Sequence, residues 1–235
     1  YADLRSAFGN NLKAYYDHYR INGYAEGRVA TGSTELQNPT TVYNGVDYKL
    51  VYDYNYYINK YPDIKAAFNG DENATLRHFV ECGMNEGRHG KASFNVAAYR
   101  ANYADLRSAF GRNLKAYYMH YIGSGYREGR KATGNGVLKN PVTVYNGVDY
   151  SLVYDYNYYI SKYSDLKAAF YGDDTAALRH FVECGMNEGR QAKDSFNVKK
   201  YKNRYNDLQN AFGNDLKSYY MHYIGNGYKE GRKGN

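Results

Sequence analysis

The sequence predicts a mainly α fold of tandem short three-helix repeats with two small β-hairpins. Three observations predict it. One motif returns five times, apolar residues inside each copy fall at helical spacing, and two Asn-Gly pairs sit between β-prone residues. YADLRSAF begins at Tyr1 and returns at Tyr103, and YNDLQNAF follows at Tyr205, a step of 102 residues each time. A sister motif begins at Tyr61 (YPDIKAAF) and returns 102 residues on at Tyr163 (YSDLKAAF). Every copy runs 28 residues and ends in Glu-Gly-Arg, at Arg28, Arg88, Arg130, Arg190 and Arg232. The first set is called type A below, the second type B.

The first helix of the unit precedes the motif. Tyr57, Tyr99, Tyr159 and Tyr201 lie four residues ahead of it, and Tyr54, Val96, Tyr156 and Val198 three residues further back. Together with the motif this makes an i, i+3, i+7 apolar stripe. Asp53, Asn95, Asp155 and Asn197 stand just before the stripes and suit an N-cap, because their side chains can accept from otherwise unpaired amides. The second helix opens at the motif. Pro62 fits its first position, where the missing N–H costs nothing, and Asp3, Asp63, Asp105, Asp165 and Asp207 face the positive end of the helix dipole. The third helix carries Leu12, Tyr15, Tyr16 and Tyr19. It is expected to stop at Gly23, Gly83, Gly125, Gly185 and Gly227, each as a left-handed C-cap.

Between each A copy and the following B copy lie PTTVYNGVDYKLV (39–51) and PVTVYNGVDYSLV (141–153). Both residues of a two-residue hairpin turn of this kind take positive φ, which Asn and Gly tolerate, so hairpins are predicted at Asn44-Gly45 and Asn146-Gly147. The stretches before them, TGSTELQN and TGNGVLKN, read as loops. The expected division is 1–30 as an incomplete A repeat, 31–130 as hairpin plus B and A repeats, and 131–235 as the same again. A chain that opens inside a repeat is expected to be a piece of something longer.

Composition narrows the function classes. Tyr accounts for 32 residues and Trp for none, and 17% of residues are aromatic, which argues against disorder. The net charge of +7 comes from Lys and Arg scattered among carboxylates, and with no nucleic-acid motif beside it no nucleic-acid partner is expected. No apolar run approaches the ~18 residues of a membrane helix, so no membrane insertion is expected. Two cysteines, Cys82 and Cys184, form no disulfide framework and no metal spacing. They are expected to be inert and partly buried.

Comparing the copies with one another separates core from surface. Leu4, Ile64, Leu106, Leu166 and Leu208 stay apolar, as do Phe8, Phe68, Phe110, Phe170 and Phe212, and these are core candidates. Ala or Ser at 14, 74, 116, 176 and 218 suggests close helix approach. Other positions swap. Tyr56 and Tyr158 correspond to Ala98 and Lys200, and Ile58 and Ile160 to Arg100 and Lys202. A position that accepts Lys or Arg is expected to face solvent, so Tyr56, Ile58, Tyr158 and Ile160 are candidate ligand-binding residues. The hairpin tyrosines Tyr43, Tyr48, Tyr145 and Tyr150 join them. Tyr15, Tyr117 and Tyr219, matched by Thr75 and Ala177, are expected to lie outside the core and are next in line.

An Asp, His, Glu and Arg set recurs in every copy, with His18, His78, His120, His180 and His222 at one motif position. Such groups can serve acid–base or metal chemistry. Their fivefold recurrence in step with the core residues points instead to internal staples. No P-loop, dinucleotide fingerprint, zinc signature or nucleophile elbow is present, so no catalytic residue, metal or cofactor is expected.

The pattern Y-x-D-L-x-x-A-F, then H-[YF] and G-[YM]-x-E-G-R, resembles tandem repeats in secreted and surface proteins of Gram-positive gut bacteria. The stretch VYNGVDYSLVYDYNYYISKYSDLKAAF (144–170) is especially similar, and with its sister copies the resemblance covers nearly the whole chain. It implies a secreted or cell-surface setting and a non-enzymatic role beside other extracellular modules, and it supplies no catalytic residues. The resemblance extends to surface proteins of gut commensals that bind host immunoglobulins as superantigens. The expected function is therefore a binding module for a host protein such as an immunoglobulin. The alternative is a module for a cell-wall or other glycan, carried by a secreted hydrolase. A surface rich in Tyr, Ser, Gly and Asn has the composition of a protein-binding paratope, whereas Trp, the usual platform for sugars, is absent.

Overall fold

A computed structural model describes residues 1–235 except Ser33, Thr34 and Asn69, so two residues of the 31–38 loop reading fall outside the described residues. The fold is mainly α, with two antiparallel two-stranded sheets among short helices in the described residues. It divides into two compact units, Tyr1–Tyr99 with Asn113–Thr133, and Arg100–Arg112 with Gly134–Asn235. The middle A repeat is shared out, its second helix Ala104–Phe110 going with the second unit and its third helix Leu114–His120 with the first.

The B repeat of the first unit shows the construction. Its helices are Tyr54–Lys60, Pro62–Phe68 and Glu72–His78. Seven-residue helices are marginal in water, so caps and packing must hold them. The Asp53 side chain accepts from the Tyr56 amide at 2.8 Å, and Asp155 from that of Tyr158 at 2.8 Å. Asn95 and Asn197 cap the A-type first helices in the same way. The third helices are capped by Asn11, Asp71, Asn113, Asp173 and Asp215, each accepting from the amide of the small residue three positions on. Pro62 occupies the first helical position, as its lost N–H allows.

The third helix reaches the expected glycine but does not end there in a left-handed cap. It runs on into a five-residue π-helical turn in every copy: Tyr19–Gly23, Phe79–Gly83, Tyr121–Gly125, Phe181–Gly185 and Tyr223–Gly227. The glycine closing each turn is helical, with φ −59° at Gly83. The left-handed cap belongs to the glycine of Glu-Gly-Arg instead, with φ from 67° to 74° at Gly27, Gly87, Gly129, Gly189 and Gly231. The first glycine is there for space. A Cβ on Gly83, Gly125, Gly185 or Gly227 would lie 2.0–2.7 Å from the hydroxyl of Tyr57, Tyr99, Tyr159 or Tyr201 respectively. That hydroxyl in turn meets Nδ1 of the repeated histidine, at 3.3 Å for His78, 2.9 Å for His120, 3.1 Å for His180 and 2.9 Å for His222.

Behind the glycines the chain closes each repeat. The amides of Asp53, Asn95, Asp155 and Asn197 donate to the carbonyls of Gly90, Ala132, Ala192 and Gly234, so each first helix begins against the end of its own repeat. The core is largely tyrosine. In the first unit Tyr52, Tyr54, Tyr57, Tyr99, Tyr117 and Tyr118 are fully buried, and the Tyr57 ring packs 5.1–5.7 Å from Tyr52, Tyr61 and Phe79. Tyr154, Tyr159, Tyr201, Tyr219 and Tyr220 do the same in the second. Ile64, Leu106, Leu166 and Leu208 are core, while the motif phenylalanines are half-buried, and Phe8, Phe68, Phe170 and Phe212 pack on His18, His78, His180 and His222 with ring centroids 5.3–5.8 Å apart.

The hairpins form as predicted. Val42–Tyr43 pairs with Val46–Asp47 and Val144–Tyr145 with Val148–Asp149. The turn residues Asn44 and Gly45 have φ 47° and 77°, and Asn146 and Gly147 have 48° and 78°.

Candidate binding surface

The recurring Asp, Glu and Arg form one staple. In four copies the arginine lies over the motif tyrosine, 4.8–5.0 Å from the ring centroid, as Arg28 does over Tyr1 and Arg190 over Tyr163. The same guanidinium binds Asp3, Asp63, Asp165 or Asp207 and also the glutamate two residues before it. The tyrosine hydroxyl accepts the amide following the arginine, at 2.7 Å for Val29 and 2.8 Å for His89. Hydrogen bonding from Arg28 lowers the Asp3 carboxyl to about 2, and Arg88 lowers Asp63. Among the described residues no group of three or more His, Cys, Asp or Glu could hold a metal ion.

The candidate ligand residues divide. Tyr43 and Tyr145 are half-buried, and their hydroxyls donate to Glu81 and Glu183 on the π-helical turns. The accepting carboxylates hold both phenols above their ordinary pKa. Val42 and Val144 beside them are exposed. Tyr56 and Tyr158 are half-buried, with the ammonium groups of Lys60 and Lys162 5.4 and 5.1 Å from their ring centroids. These four tyrosines keep a face toward solvent.

The others correct the sequence reading. Tyr48 and Tyr150 are buried, with only 4% of their surface exposed, because the strand after the Asn-Gly turn feeds them inward beside Val51 and Val153. Ile160 is also only 4% exposed, and Ile58 is half-buried. The inference from Arg100 fails because Arg100 is itself buried, its guanidinium lying over Gly172 where a Cβ would be 2.8 Å from Nη1. A long side chain that accepts burial of its stem makes a poor marker of solvent. Tyr117 and Tyr219 are fully buried and Tyr15 half-buried, the Tyr15 and Tyr219 hydroxyls donating to the carbonyls of Gly9 and Gly213. Cys82 and Cys184, expected partly buried, are free and exposed.

One set of surface aromatics escaped the sequence reading. Tyr24, Tyr126 and Tyr228 follow the π-helical turns of the A copies and are more than half exposed, whereas Met84 and Met186 fill that position in the B copies and are fully buried. The Tyr/Met alternation was the available signal. Compared with known proteins, the chain matches no family model, no curated protein and no solved structure. Among the described residues no helix is long and apolar enough to cross a membrane.

Proposed function

We propose that this chain is a non-enzymatic extracellular binding module that takes a protein ligand, with a host immunoglobulin domain as the first candidate. One observation carries the reading: each unit presents the same half-exposed tyrosines in the same restrained setting. Tyr43 and Tyr145 are held by glutamate, and Tyr56 and Tyr158 lie under lysine. Rings already fixed in place lose little freedom on binding, which favours Tyr as a contact residue for protein surfaces. The resemblance to repeats of gut-bacterial surface proteins supports the secreted or surface setting.

Two equivalent surfaces in one chain raise apparent affinity for a multivalent partner without new contacts. The test replaces Tyr56 and Tyr158 by Ala, singly and together, and measures binding to immunoglobulin fragments and to a wall-glycan array, with folding checked by circular dichroism. A truncated hot-spot aromatic costs about 2 kcal/mol. Each single change should mainly remove avidity, and the double change most of the binding. Undiminished affinity in the folded double variant, or binding to glycans alone, refutes the proposal.

A further inference from the structure

We propose that the third helix of the first A motif, Leu12–His18, is a docking surface for a further B-type repeat together with the helix that follows such a repeat. This does not rest on the function proposed above. The argument is that the same interface occurs twice within the chain, once in each unit, and that the first motif carries its half of it unpartnered.

In the first unit the third helix Leu114–His120 packs on the end of the B repeat. Leu114 comes so close to Gly87 that a Cβ there would be 3.1 Å from its Cδ1. Tyr118 is fully buried between Phe79 and Phe94, ring centroids 5.9 and 5.0 Å away, and its hydroxyl donates to the Arg88 carbonyl at 2.8 Å. His120 meets the Tyr99 hydroxyl from the helix that follows the B repeat. The second unit repeats the arrangement. Leu216 packs on Gly189, and Tyr220 lies between Phe181 and Phe196 and donates to the Arg190 carbonyl at 2.9 Å. His222 meets Tyr201, and the Lys217 ammonium donates to the Val182 carbonyl at 3.0 Å.

The first motif has the same side chains at the same spacing: Leu12, Lys13, Tyr16 and His18. Leu12 is 71% exposed and Tyr16 77% exposed, and the buried His18 Nδ1 has no hydrogen-bond partner. A cavity of about 650 Å³ adjoins them, lined by Tyr1, Leu4, Leu12, Tyr15 and Gly70 among others. A Cβ on Gly70 would meet nothing within 4 Å, whereas its counterpart Gly172 is covered by Arg100 from a first helix. One segment answers all three features. Its Glu-Gly-Arg turn takes Leu12 and the Tyr16 hydroxyl, a Phe six residues after the arginine covers the Tyr16 ring, and its following helix brings a tyrosine hydroxyl to His18 and a side chain into the cavity.

The occupant is thereby specified. The two segments of this kind in the chain, ending in Arg88 and Arg190, already hold the helices Leu114–His120 and Leu216–His222. An A-type end is a poor substitute, because Thr34 and Gly136 stand where Phe94 and Phe196 follow the B copies. A second copy of this chain is therefore not the occupant.

The test joins a copy of residues 40–102 directly ahead of Tyr1, which reproduces the register of Asn102 and Tyr103, and follows Tyr16 by hydroxyl-radical footprinting in the parent and extended chains. Tyr16 should fall from the reactivity of an exposed tyrosine to that of Tyr118. Tyr16→Phe, which removes only the hydroxyl bond, should lower the melting temperature of the extended chain and leave the parent unchanged. Sedimentation of the parent should show no concentration-dependent dimer. An extension that stays unfolded, a Tyr16 equally reactive in both chains, equal effects of Tyr16→Phe in both, or a parent dimer that protects Tyr16 would each overturn the proposal.

Discussion

Replacing Gly185 by Ala should reverse the usual sign of a helix substitution. Ala in place of an interior helical Gly ordinarily stabilises by about 1 kcal/mol. Here the new Cβ would sit 2.4 Å from the Tyr159 hydroxyl oxygen and 3.3 Å from Phe181 Cδ2, both on fully buried side chains. The Tyr159 ring cannot swing into solvent, so relieving the clash means displacing a hydroxyl that lies 3.1 Å from His180 Nδ1. Leaving those groups unpaired costs about 1–3 kcal/mol, and overpacking adds about 1–3 kcal/mol. After the helical gain is subtracted, the net loss is roughly 1–5 kcal/mol, and its middle value would lower the melting temperature by about 10 °C. Thermal unfolding followed by circular dichroism measures it. Adding Tyr159→Phe removes the offending oxygen and leaves Cζ as the next ring atom at 3.5 Å, so the double variant should be more stable than Gly185→Ala alone. A Gly185→Ala chain that melts higher than the parent, or a double variant that melts lower than the single, would refute the spatial account of this glycine.

Other perturbations are set by burial and charge. Arg107 and Asp174 form an ion pair with both side chains 3% exposed, so Arg107→Met should destabilise by about 3–5 kcal/mol in denaturant titration, and Arg5→Met, whose pair with Glu72 is more open, by less. Tyr156 is pushed up to about 12 by burial, and Tyr57 and Tyr159 are also raised by it, so the neutral phenols favour the folded state. That stability is complete below the ordinary phenol pKa of about 10 and is lost as pH rises toward 12. Absorbance at 295 nm should therefore show phenol ionisation coinciding with loss of helix. The lowered carboxyls of Asp3, Asp63, Asp165 and Asp207 act at the other end, adding stability above about pH 4 that declines as pH falls toward 2, with carboxyl NMR titrations as the readout.

Much of the fold was legible because its determinants are local. Asp53, Pro62 and Asn44-Gly45 act within a few residues of themselves, and their chemistry is visible in the string of letters. The role of Gly185 was not, because it depends on Tyr159 from another helix. The sequence shows a glycine after a helix, and only packing distinguishes a left-handed cap from a place where no Cβ fits. The surface was harder still. Swapping of Ile160 for Arg100 and Lys202 suggested solvent, yet Ile160 and Arg100 are both buried. Tyr117 and Tyr219 failed for the opposite reason. Thr75 and Ala177 are buried at the matching positions, so a small or polar counterpart did not mean an exposed site. Tyr43, Tyr56, Tyr145 and Tyr158 retain an open face, while the exposed Tyr126 and Tyr228 required knowing that Met84 and Met186 are covered.

The closure of each repeat on itself bears on how the chain folds. The tyrosine–histidine contacts join residues 21 apart, the aspartate–arginine pairs 25, and the amide-to-tyrosine bonds 28. Pairings of such short reach require little loop-closure entropy, so each repeat can nucleate alone and recruit its neighbour afterward. Collapse of a repeat should be fast on that account. The Arg107–Asp174 pair spans 67 residues and joins the second helix of an A repeat to the B repeat beyond the hairpin. It can form only once both ends are built, so breaking it should accelerate unfolding while leaving the refolding rate nearly unchanged.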